Sequence, residues 1–154
     1  MSNLLPEDLT LDICVLITGS GRSDCNTNAM FGKDCLDLMK RMISEDRYRL
    51  AFDSRSQVET QYRSRLNPTT FGHYFVRQMA TMDKVVKIPW QNLNRGVRVA
   101  LETRGFTRHS EDYKFVVLAS STCCRKLVSH EPHFLNVQSI LRRIDIVVLL
   151  PSNA

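Results

Sequence analysis

No apolar run in this chain approaches the roughly 20 residues of a membrane-spanning helix, so no membrane partner is expected. Residues Met1–Thr10 hold one proline and two acids and no basic cluster, so no secretory signal is read there. A cytoplasmic or nuclear location is the expectation. Cysteine is sparse and odd in number: Cys14, Cys25, Cys35, Cys123 and Cys124. No Cys-x-x-Cys pair and no Cys/His ligand spacing occurs, which points away from a disulfide framework and from zinc. All five are read as reduced thiols.

Catalytic and nucleotide signatures are missing as well. Glycine is never followed by Lys-Ser or Lys-Thr, so there is no Walker A loop. There is no Gly-x-Ser-x-Gly nucleophile elbow. Cys35 to Arg41 has the spacing of a phosphatase phosphate loop, but the residues between include no glycine and read as helix. The dehydrogenase pattern Thr-Gly-x-x-x-Gly-x-Gly fails at Ser23 and Cys25, and Tyr-x-x-x-Lys is absent. No repeat or low-complexity stretch is present.

What remains is an ordinary globular composition, with 43% hydrophobic and 24% charged residues over 154 positions. That length suits one domain, 1–154, with its core over about 11–151. The net charge of +5 favours acidic partners or nucleic acid without naming either. Leu11–Ile17, Lys114–Ala119 and Ile144–Leu150 are near-continuous apolar runs, the pattern of strands covered on both faces. Tyr48–Phe52 and Val58–Leu66 read as an antiparallel hairpin around a turn at 53–57. Helical spacing covers Ala29–Ser44, and cap residues open helices over Thr70–Met82 and Leu93–Thr103, the latter stopped at Gly105. Another helix spans His133–Arg143, and Lys84–Ile88 is short and extended. The order is that of an α/β three-layer open sheet, mostly parallel with an antiparallel edge hairpin.

Thr18-Gly19-Ser20-Gly21-Arg22-Ser23 follows the first apolar run. Together with Arg49–Ser54, Gln91–Leu101 and Phe115–Ser121 it resembles the loop and strand order of a von Willebrand factor A-type domain. The resemblance covers Leu11 to Pro151 and implies a vWA/Rossmann-like sheet, which the chain would leave truncated at the last strand. The family's metal-dependent adhesion site draws oxygens from two aspartates, two serines and a threonine. The first aspartate falls on Thr18 and the second near Ser121; Ser20 is kept, and the second serine falls on Arg22 with Ser23 beside it. The threonine falls near Gln91 or Asn92. A hard divalent cation needs carboxylates and is repelled by a guanidinium, so no metal and no cofactor is expected.

The resemblance therefore implies a non-catalytic interaction module, an intracellular subunit or adaptor. Its expected partner-binding residues are Thr18, Ser20, Arg22, Ser23, Trp90, Gln91, Ser121 and Arg125, on one rim at the carboxyl ends of the strands. The alternative is a nucleic-acid-associated factor. Arg47 and Arg49 share one strand face, Arg63 and Arg65 another, and together they would make a basic stripe along the hairpin. Charged edge strands also simply resist edge-to-edge pairing. A third reading is an enzyme that cradles a nucleotide or phosphate in the Gly19–Gly21 loop. His73, His109, His130 and His133 form no ligand cluster by spacing, and His130 and His133, on either side of Glu131-Pro132, read as surface residues.

Overall fold

A computed structural model describes residues 5–21, 30–107 and 110–154. The five described strands, β1 (Glu7–Leu11), β2 (Tyr48–Asp53), β3 (Val85–Ile88), β4 (Lys126–Val128) and β5 (Val147–Leu149), form one sheet in the order β3-β2-β1-β4-β5. All four pairings are parallel. Parallel neighbours need crossovers, and helices supply them: α1 (Ile13–Gly19), α2 (Met30–Ser44), α3 (Gln57–Arg65), α4 (Phe71–Thr81), α5 (Arg95–Glu102), α6 (Tyr113–Ser121), α7 (Pro132–Asn136) and α8 (Gln138–Leu141). Right-handed crossovers leave β1 and β4 in opposite directions, which puts their helices on opposite faces. Accordingly α1, α2 and α4 pack together, while α6 lies across β1, β2 and β4. This is an α/β, Rossmann-like sheet.

The expected antiparallel hairpin is not present. Val58–Leu66 is helical, because the Asp53 carboxylate at the end of β2 accepts the amides of Arg55, Gln57 and Val58 at 3.1, 3.0 and 2.9 Å. Those amides would otherwise be orphaned at a helix start. Two of the apolar runs also change type. Leu11–Ile17 contributes only Leu11 to a strand and then turns into α1, whose seven residues are all buried. Lys114–Ala119 lies inside α6, with Phe115 to Ala119 buried. A helix enclosed on every side shows the same unbroken apolar run as a two-faced strand. The third run holds β5, shortened to 147–149. β4 itself was carried by no sequence signal, since it is only three residues long.

Other local signals hold. α5 starts two residues later than expected, where Asn94 Oδ1 accepts the Val97 amide at 2.9 Å, and Gly105 at φ +89° follows its end as expected. α2 begins at Met30 and ends at Ser44, and β2 spans Tyr48–Asp53. The expected helix over His133–Arg143 is broken into α7, α8 and a 3-10 turn at Arg142–Ile144.

Candidate active site at the switch between β1 and β4

In an open parallel sheet the crossovers diverge at one point, and a crevice forms outside the carboxyl ends of the two strands there. Here those strands are β1 and β4, and the residues just past them are Asp12 and Ser129-His130-Glu131. The Asp12 amide donates to Val128 O at 3.0 Å and locks the two strand ends together. Ser129 Oγ donates to Asp12 Oδ2 at 2.9 Å and accepts the Glu131 amide at 3.0 Å. Asp12 Oδ1 accepts no complete hydrogen bond from a described residue, although the side chain is fully buried. Burial, then the nearby negative charge of Asp112, raises the Asp12 carboxyl to about 7, with Glu131 adding to the rise; the Ser129 hydroxyl and the Cys14 amide oppose it.

Above Asp12 stands an imidazole between two carboxylates. His133 Nε2 is 2.7 Å from Asp112 Oδ2, a close ion-pair contact without full hydrogen-bond alignment, and Nδ1 is 3.7 Å from Glu131 Oε2. The contact with Asp112 raises the His133 pKa against a smaller effect of burial. The ring is braced by Phe106 and Phe134, with centroids at 5.6 and 4.9 Å. Asp112 and His133 open onto a cavity of about 520 Å³ that Arg104, Phe106, Ser110 and Asn136 also line. Next to this cluster His130 is buried, with Nε2 at 3.1 Å from Thr18 Oγ1 and its ring stacked on Phe31 at 5.1 Å. Burial lowers its pKa. Among the described residues, no group of three or more His, Cys, Asp or Glu is arranged to hold a metal ion.

The residues expected on one carboxyl-end rim are scattered. Thr18 is a buried residue of the last turn of α1, facing His130. Ser20 is a structural clip: its Oγ donates to Leu16 O and accepts the Gly72 amide, both at 2.7 Å. Arg22 and Ser23 lie outside the described residues. Trp90 does lie past β3, where its indole donates to Asn92 Oδ1 at 3.2 Å and the Arg55 guanidinium stands 5.5 Å from the ring. Ser121 ends α6 and Arg125 directly precedes β4, so both lie at the amino edge, where Gln91 joins them. The rim fails because α6 was read as a strand, which reverses the direction of the chain there.

The basic stripe is divided for a related reason. Arg47 and Arg49 lie at β2, and Arg47 stacks on the Tyr48 ring at 4.3 Å. Arg63 and Arg65 sit on α3 and pair with Glu59 at 2.7 Å and Glu111 at 3.1 Å. Cys14 is disulfide-bonded, against the reading of five reduced thiols. His130 is buried beside the cluster and not at the surface, while His133 keeps 41% of its side chain exposed at the cavity and belongs to the cluster; the His-x-x-His spacing was the available signal.

The fold and the cleft together define a Rossmann-like α/β domain with an ionisable cluster at its topological switch point. Compared with family models, curated proteins and solved structures, the chain matches none.

Proposed function

We propose that the cleft between the ends of β1 and β4 is an acid–base site that hydrolyses a phosphate ester in an anionic substrate. The observation that carries this is the convergence of Asp12, Asp112, Glu131 and His133 at the switch point, with Asp12 raised to about 7. Perturbed titratable groups gathered in a cleft are a mark of functional sites. His133 and Asp112 line the cavity and would meet the substrate. In this reading the neutral imidazole takes a proton from water, whose oxygen attacks phosphorus, and the ester oxygen leaves with a proton returned by the imidazolium. Asp12, buried beneath, acts through the cluster as a positioning residue whose charge tunes His133. Arg104 at the rim offers a planar fork to a phosphate, and the chain's net charge of +5 draws polyanions, nucleic acid included.

This reading takes precedence over a non-catalytic module because Gln91, Ser121 and Arg125, needed on that rim, lie at the amino edge, and Thr18 is buried. The interaction reading keeps one support, the meeting of Gln91, Ser121 and Arg125 at the amino edge. No helix among the described residues is long and apolar enough to cross a membrane.

The test is turnover of single-stranded RNA and of a chromogenic phosphodiester, with EDTA and separately with Mg²⁺. Turnover in EDTA that falls at least about a hundredfold in His133→Ala supports the reading. No turnover of either substrate under any condition overturns it. Turnover only with Mg²⁺ overturns the acid–base role, because three carboxylates around one histidine would then be offset by a cation.

A further inference from the structure

At the opposite edge of the sheet, a second cleft of about 310 Å³ opens at the amino ends of β4 and β5. The segment 91–94 after β3 reaches the C-terminal end of α6 there, and the turns before β4 and β5 complete the wall. Two of those turn residues, Arg125 and Asp145, hold left-handed backbone at φ +51° and +62°. A non-glycine residue adopts this conformation only at a steric cost. It is over-determined by one side chain: Arg125 Nη1 donates to Ile144 O and Asp145 Oδ2, both at 3.2 Å. The guanidinium is thus fixed over the cleft with only one of its nitrogens committed. The Arg143 side chain, exposed on the same wall, makes no hydrogen bond or ion pair with any described residue, and neither does that of Gln91 or Ser121.

We infer that this cleft is a docking site for an acidic, extended segment of a partner protein. Arg125 is pre-positioned and Arg143 is uncommitted, and both suit carboxylates. The free amide of Gln91 and hydroxyl of Ser121 suit a peptide backbone. One fixed carboxylate, Asp145, stands among the donors, with its side chain 82% exposed. It repels a phosphate dianion more than a single carboxylate, which selects the peptide over a phosphate ligand. β5 is also an edge strand, and Val147 at its start is 43% exposed. A segment anchored in the cleft could continue along that edge as an added strand.

The test is an amide and arginine-side-chain NMR titration of the full chain with a hexaglutamate peptide, with inorganic phosphate and hexalysine as comparisons. Hexaglutamate is expected to shift Gln91, Ser121 and the Arg143 Nε–H signal, weakening about tenfold in Arg143→Glu and strongly at ~0.5 M NaCl. Arg143 lies on the surface, so this substitution leaves the fold in place. Absence of shifts at these residues, or shifts unaltered in Arg143→Glu, overturns the proposal. Tighter binding of phosphate at the same residues overturns the peptide as the ligand class. None of these results depends on the acid–base cleft, which lies at the other edge.

Discussion

Asp12 illustrates how a side chain central to the proposed chemistry can be a liability for stability. Its ionised form is buried beside Asp112 and Glu131, so the folded state binds a proton more tightly than the unfolded chain does. A carboxyl with a raised folded pKa contributes most below its unfolded value near 3.8, and that contribution is lost as pH rises to about 7. Asp12→Asn keeps an oxygen for Ser129 and removes the charge. It is expected to gain up to about 4 kcal/mol over the native chain at pH 8 and almost nothing at pH 4, measured by urea unfolding at both pH values. A gain independent of pH would show that the charge is not the cause. Ser20 is the contrasting case, a residue whose exposed-looking loop position conceals a structural role. Its hydroxyl joins α1 to the start of α4 through the Gly72 amide. Ser20→Ala leaves that amide without its partner and should cost about 1–3 kcal/mol in the same denaturation assay.

At the scale of elements, α3 shows a carboxylate deciding between a helix and a strand. Val58–Leu66 has enough apolar and aromatic residues to pass for a strand, and the helix has little amphipathic patterning of its own. Asp53 supplies what the pattern lacks, by accepting three amides at the helix start. Asp53→Ala is expected to destabilise the chain by about 2 kcal/mol and to reduce helical circular dichroism, with amide exchange rising first at 57–60. The same change would do little if the segment were strand. Gly105 was legible beforehand because a left-handed stop involves only residues within one turn, whereas the helix start shifted by two residues to the Asn94 cap. The apolar runs that became α1 and α6 were not legible, since enclosure on all sides removes the periodicity that tells helix from strand. Phe115 lies in the first turn of α6 and is fully buried, and Phe115→Ala should cost about 3–5 kcal/mol by thermal or chemical unfolding.

For the whole molecule, charge is distributed rather than focused. Arg63 and Arg65 stand on α3, each paired with a glutamate, instead of facing Arg47 and Arg49 across a hairpin. Reversing Arg63 and Arg65 to Glu should therefore change retention of single-stranded RNA by only about twofold; a steep loss, with a flatter salt dependence, would restore the basic stripe as an interface. The sequence by itself determined the α/β class, the helices at 30–44, 71–81 and 95–102, and the strand at β2, because caps, turns and amphipathic spacing act over a few residues. Tertiary structure alone decided which apolar runs were strands, that every pairing is parallel, and where the site lies. Asp12 meets Ser129 across 117 positions, and Asp112 and His133 join them only because β1 and β4 pair side by side. Contacts of that range are set by sheet order and burial, and neither leaves a periodic trace in the residues that make them.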